Sequence, residues 1–153
     1  MNVSDHCYVV SGLYSIPPWM VNAGFIVGSE QTLIVDSGLC YLSAQTIFSY
    51  AMAVKPSNDC ILINTEPHSD HMGGNSFFHD KGIPIYGHHQ ICRSDEEFMD
   101  IYDDHNRSII YPECKTRNDE KYIFAKTRFI NPDNAINKDT IIDLGDLELK
   151  VLL

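Results

Sequence analysis

The chain has 153 residues, 44% of them hydrophobic, with 11 Lys and Arg against 21 Asp and Glu, a formal net charge of −10 at pH 7. That is one domain's worth of sequence with enough apolar residues for a core, and an acidic surface without any Lys/Arg cluster argues against a nucleic-acid partner. No run approaches a membrane span, the start Met1-Asn2-Val3-Ser4-Asp5 has neither the basic flank nor the apolar stretch of a signal peptide, and the five scattered cysteines never form C-x-x-C, so free thiols in a cytoplasmic protein are the simplest expectation.

Residues 6 to 10 read as a short opening strand. In Ile16-Pro17-Pro18-Trp19-Met20 the two prolines forbid a helix and favour an extended loop. Asn22 to Gly28 and Thr32 to Asp36 read as two strands of a hairpin with Gly28 at the turn. Leu33, Ile34 and Val35 form the continuous apolar run of a strand buried on both faces, which ends in Asp36-Ser37-Gly38. A helix is expected from about Leu42 to Lys55, with Ser43 as a possible cap, Ala44, Ile47, Phe48 and Ala51 on one face, and Pro56 as the stop. A strand over 60 to 64 follows, with Cys60 in the core.

That strand delivers the stretch Asn64-Thr65-Glu66-Pro67-His68-Ser69-Asp70-His71-Met72-Gly73-Gly74, which puts Glu66, His68, Asp70 and His71 within six positions. Imidazole nitrogen and carboxylate oxygen suit Zn²⁺ or Fe²⁺. In an extended loop Glu66 and His68 point the same way, while Asp70 and His71 lie beyond a bend where they could serve a second ion close by. Two neighbouring ions could share and activate one water. The plain alternative is a polar turn whose His and Asp residues cap a helix. After the glycine pair a short helix is expected, its glycines allowing close packing and its first amides facing the candidate site.

Ile83 to Gly87 reads as a further buried strand with Pro84 near its start. His88 and His89 follow; adjacent histidines diverge, so at most one faces the site, and both are read as surface or supporting residues. Ser94-Asp95-Glu96-Glu97 is a capping box opening a helix to about His105, with Phe98, Ile101 and Tyr102 on its inner side. Residues 106 to 138 suggest a long excursion with a short strand near Tyr122-Ile123-Phe124. Ile141 to Leu144, a Gly145-Asp146 turn and Leu147 to Leu152 form a hairpin, its second strand alternating Leu147, Leu149 and Val151 with Glu148 and Lys150.

The motif Glu66-x-His68-x-Asp70-His71-x-Gly73-Gly74 resembles the H-x-H-x-D-H-x-G-G signature of the metallo-β-lactamase-like superfamily, with Glu66 where the family usually has His. The resemblance implies an α/β fold, a mixed sheet flanked by helices like the N-terminal half of an αββα sandwich, over a single domain of residues 1–153. It implies Glu66 and His68 on a first metal and Asp70 and His71 on a second, with Asp36 supporting the metal loop. Zinc is the expected metal, as one or two ions, with iron possible. The implied activity is metal-dependent hydrolysis of a small-molecule substrate: a metal-bound hydroxide attacks an amide, lactam, thioester or lactone carbonyl, and Asp70 orients it or takes its proton. The family's later ligands, a His in a Pro-Gly-His-Thr-like loop, a bridging Asp and a last His, have no counterpart before Leu153, so the domain is expected to be truncated at the C-terminus. One face of the sheet is then expected to be exposed or covered by another copy, favouring self-association. A second reading is a non-catalytic remnant or association module with a weak metal site; a third is a redox relative with two irons.

Overall fold

Runs of β-branched and aromatic residues build a sheet, and helices between strands build a layer against it. In the computed structural model the described residues are 1–13, 15–16, 19–97 and 126–153, with the backbone alone for 15–16 and 19–20. The elements are β1 (Cys7–Val10), β2 (Ser15–Ile16), β3 (Trp19–Met20), β4 (Ala23–Val27), β5 (Gln31–Val35), α1 (Tyr41–Val54), β6 (Asp59–Asn64), α2 (Ser69–Met72), α3 (Asn75–Asp80), β7 (Ile85–His88), β8 (Asn134–Ile136), β9 (Thr140–Asp143) and β10 (Glu148–Val151). Six strands form one sheet in the order β1-β4-β5-β6-β7-β8. Pairing is antiparallel from β1 to β5 and parallel from β5 to β8. The fold is α/β, as the sequence indicates. Among the described residues no helix is long and apolar enough to cross a membrane.

The parallel register fixes which side chains share a face. Ile34 lies beside Leu62 and Leu62 beside Ile85; with Phe25 they point towards the helices and pack on Ala44, Ile47 and Ala51 of α1 and on Phe77 and Phe78 of α3. Each such side chain withdrawn from water contributes about 1.5–3 kcal/mol before the ordering entropy is subtracted. The interleaved residues Ile26, Leu33, Val35, Ile61 and Ile63 face the other way and meet Ile142, Leu144, Leu147, Leu149 and Val151 of the β9–β10 hairpin. The expected bare face is therefore partly covered by this chain's own hairpin, because its alternating apolar residues supply the covering surface. Half-buried Ile26, Val35, Ile61 and Ile63 still line it.

Two tips lock the hairpin in place. The amides of Glu30 and Gln31 donate to the Leu144 carbonyl (3.0 and 3.3 Å) and the Ser29 amide donates to an Asp146 carboxylate oxygen at 2.7 Å. Gly28 is needed there, since a Cβ would lie 2.2 Å from the Leu144 carbonyl oxygen.

Several sequence expectations shift in detail. Helix α1 starts after Cys40, whose amide is met by Ser43 Oγ at 2.9 Å, so Ser43 is the third helical residue and closes a capping box from inside. The Pro-containing loop is flanked by β2 and β3, paired with each other; the Trp19 side chain lies outside the described residues. The Ser94–Glu97 capping box forms, with the Ser94 amide donating to Glu97 Oε2 at 2.7 Å and the Glu97 amide to Ser94 Oγ at 3.2 Å. The helix face of Phe98, Ile101 and Tyr102 and the strand expected near Tyr122-Ile123-Phe124 lie outside the described residues. Strand β8, which the sequence reading did not anticipate, completes the sheet beyond β7.

Cys60 is buried in β6, and that burial, with the Asp59 carboxylate beside it, pushes its thiol up to about 11. Alkylation at pH 8 should therefore label buried Cys60 far more slowly than exposed Cys92, as peptide mass spectrometry would report. The raised pKa also sets a direction. Folding stability holds below the ordinary thiol value of 9.0 and declines as pH climbs towards 11, because only the unfolded chain releases the proton in that window.

Candidate metal centre

The candidate donors gather where β5 and β6 end side by side, at the carboxyl edge of the parallel strands, where α/β sheets place functional groups. Asp36 ends β5 with φ of +62°, a left-handed backbone that Asp tolerates better than most residues. The turn aims its buried carboxylate across at the loop after β6. One oxygen accepts the Thr65 amide at 2.8 Å; the other accepts the Thr65 hydroxyl at 2.8 Å and lies 2.8 Å from His71 Nδ1. Asp36 is thus committed to the loop rather than to capping α1.

With Nδ1 turned to Asp36, His71 presents Nε2 to Glu66 Oε1 at 2.9 Å and to Asp70 Oδ2 at 3.6 Å. Glu66 Oε2 is hydrogen-bonded to His68 Nδ1, so Glu66 bridges both imidazoles. The His71 backbone is pinned as well. Its carbonyl accepts from the Ser37 amide (2.8 Å), the Ser37 hydroxyl (2.9 Å) and the Asn64 side-chain amide (3.2 Å). Asn64 is buried and pairs with buried Asn75, whose amide also donates to the Ile130 carbonyl at 2.8 Å.

These contacts set the protonation of the cluster. Burial pushes the His71 imidazolium down, but the hydrogen bond and charge of Asp36, followed by the charges of Asp70 and Glu66, outweigh it and raise the pKa above its ordinary value. The hydrogen bond from His68 holds the Glu66 carboxyl below its usual range; desolvation opposes this and the charges of His71 and His68 add to it.

All four expected ligands, Glu66, His68, Asp70 and His71, therefore sit in one cluster. Within it Glu66 touches both histidines. The rings of His88 and His89 lie 4.3 Å apart, tilted by 48°, and His88 Nδ1 accepts the Gln90 amide at 3.3 Å. The amides of the glycine pair itself are taken up within the fold. The Gly73 amide donates to the Ser69 carbonyl, and the Gly74 amide to Gly38 O and Ser37 Oγ. The sequence reading passed over Thr65, the Asn64–Asn75 pair and Arg93. Arg93 Nε donates to the Pro67 carbonyl at 2.7 Å, inside the motif. Thr65 and Asn64 lie within the motif and signal themselves by position; Arg93 gives no such signal, because it lies 26 residues away.

The donor chemistry fits a divalent ion. Two ligands about 2.1 Å from one tetrahedral zinc stand about 3.4 Å apart, and the separations of His71 Nε2 from Glu66 and Asp70 bracket that spacing. A carboxylate on Nδ1 is also what orients a metal-ligating histidine. As the side chains stand, no three of the described His, Cys, Asp and Glu residues surround a common point, because Glu66 is drawn onto the imidazoles. An ion would take the place of those mutual hydrogen bonds.

A family model described as the Metallo-beta-lactamase superfamily matches residues 16–152. Among solved structures, the chain is similar to a metallo-beta-lactamase from Pontibacter korlensis, with TM-score 0.67 and 12% identity over 98% of this chain and 57% of that one. It is also similar to a metallo beta lactamase from Hirschia baltica (TM-score 0.60, 16% identity, 94% of this chain and 55% of that one). A third, from Erythrobacter litoralis with beta mercaptoethanol in the active site, gives TM-score 0.58 and 17% identity over 91% of this chain and 50% of that one. At these identities the likeness is one of fold, and the chain spans about half the length of the structures it matches. No curated protein matches it in sequence.

Proposed function

Because the chain belongs to the metallo-beta-lactamase superfamily, we propose that Glu66, His68, Asp70 and His71 hold a divalent ion, zinc in the first instance, for hydrolysis of a small-molecule carbonyl compound such as an amide, lactam, thioester or lactone. The observation that carries this reading is His71, fixed through Nδ1 by Asp36 and presenting Nε2 to Glu66 and Asp70. A bound ion would supply Lewis acidity to the substrate carbonyl and lower the pKa of water. The chain's own residues do the rest. Asp36 selects the tautomer and tilt of His71, the Ser37 and Asn64 donors keep the His71 backbone in place, and the half-exposed Asp70 carboxylate accepts a proton from the attacking water.

The test has two parts. Purified, dialysed protein should retain about one zinc ion or more per chain by elemental analysis, as a site with His and carboxylate ligands requires. Any hydrolysis should vanish on chelation, return with zinc, and fall about 100-fold or more in Asp70→Asn, the scale of a lost general base. Turnover that survives chelation, or that Asp70→Asn leaves intact, rules the mechanism out. A second reading, a weak metal site without turnover, is supported by the engagement of Glu66 with both imidazoles; zinc uptake without hydrolysis would favour it. Iron at the same stoichiometry would move the chemistry to redox.

A further inference from the structure

Arg93 places a fixed positive charge beside this cluster, and the cluster does not consume it. The Arg93 backbone is held on both sides by one side chain: its amide donates to Asn131 Oδ1 at 2.9 Å and its carbonyl accepts from Asn131 Nδ2 at 2.8 Å. Its Nε donates at 2.7 Å to the carbonyl of Pro67, the residue between Glu66 and His68. Backbone and guanidinium are thus both anchored, and the side chain is half-buried. Acidic groups abound nearby, yet among the described residues no carboxylate forms an ion pair with Arg93. Glu97 feels its charge, but Glu97 Oε2 is occupied by the Ser94 amide and hydroxyl.

A guanidinium carries five N–H donors in a planar fork. With Nε committed to Pro67, the outer edge formed by the two terminal nitrogens keeps the geometry that grips a carboxylate with two parallel hydrogen bonds. In a chain of net charge −10, with Asp36, Glu66 and Asp70 at the site, an anionic substrate would otherwise be repelled. We propose that Arg93 is a substrate anchor that selects, for the site described above, molecules bearing a carboxylate near the carbonyl to be hydrolysed. This rests on the metal reading of that site.

The test reads binding rather than turnover. Zinc-loaded protein is titrated calorimetrically with 4-mercaptobutyrate and with its uncharged counterpart 4-mercaptobutanol; both offer the same thiol to the metal, and only one offers a carboxylate to Arg93. The carboxylate compound should bind about 10-fold more tightly, the scale of hydrogen bonds to a charged group. Arg93→Gln should bring the ratio to about one while leaving the affinity for the alcohol unchanged, and Arg93→Lys, which keeps the charge but not the fork, should leave an intermediate ratio. Thermal melts of the zinc-free variants check that the fold is retained. A ratio of one in the parent overturns the anchor and leaves the metal reading standing. An undiminished preference in Arg93→Gln means that the carboxylate binds the metal, and overturns it too. A parent chain that takes up no zinc removes the metal reading, and the anchor falls with it.

Discussion

The Gly74→Ala variant should lose most of its folded population, at a cost of about 4 kcal/mol or more, the range reserved for backbone clashes that cannot relax. A Cβ at Gly74 would stand 2.3 Å from the Ser37 carbonyl oxygen and 2.6 Å from Ala44 Cβ. One is main chain just after β5 and the other is a fully buried methyl on α1, so neither can swing away. Gly73 is as tightly held, with the Leu39 carbonyl oxygen 2.0 Å from where its Cβ would be. Gly82→Ala is the control: its φ of +68° carries a backbone cost, but nothing lies within 4 Å, and about 1 kcal/mol is expected. Circular dichroism melts give the comparison. If Gly74→Ala melted like Gly82→Ala, the close crossing of the glycine pair over the β5–α1 connection would be wrong.

Asp36→Asn should weaken metal binding by about 10- to 100-fold while the fold persists, the usual consequence of losing the partner that orients a metal-ligating histidine. Asn tolerates the left-handed backbone about as well as Asp, so the substitution isolates the carboxylate. What disappears is the charge on His71 Nδ1 and one acceptor for Thr65. The same change should let the His71 pKa fall in the metal-free protein, because the Asp36 hydrogen bond and charge are the leading raising influences. The sign for stability follows. A histidine whose folded pKa is raised contributes fully below its unfolded value of 6.5, and that contribution fades as pH rises through the folded value. The variant should therefore lose more stability at pH 5 than at pH 9. Competition with a chromogenic chelator measures the metal affinity, and the imidazole proton shifts in NMR report the titration. An unchanged zinc affinity would show that Asp36 does not orient His71.

Much of this architecture is legible from residue order, for identifiable reasons. The strands at β4, β5 and β6 announce themselves because β-branched residues run between turn residues, and the β9–β10 hairpin because Leu147, Leu149 and Val151 alternate with charge. The donor cluster is legible because its members lie within six positions and one loop can gather them. Strand β8 escaped because Asn134-Ala135-Ile136 is short, opens with a poor strand former and follows Pro132; it is a strand only because β7 offers it a parallel edge. The roles of Asn75, Arg93 and Asn131 escaped for a similar reason. Each depends on a hydrogen bond to a residue between 11 and 55 positions away, and no local spacing encodes such a contact. The cap of α1 was misplaced because serine is the commoner cap, whereas here Ser43 reaches back to the Cys40 amide from within the first turn.

The lock between the two hairpin tips has a consequence for the order of events during synthesis. Ser29 and Asp146 are 117 positions apart, so the contact closes a long loop and cannot form until residue 146 has been made. Until then Leu33, Ile61 and Ile63 lie on a sheet still being extended by β7 and β8, with no hairpin above them. A ribosome adding about 5–20 residues per second leaves that stripe open to water for several seconds after β6 has emerged. The nascent chain is thus most vulnerable to sticking in the interval between its Glu66–Gly74 motif and its closing hairpin, and a holding chaperone would find its target there.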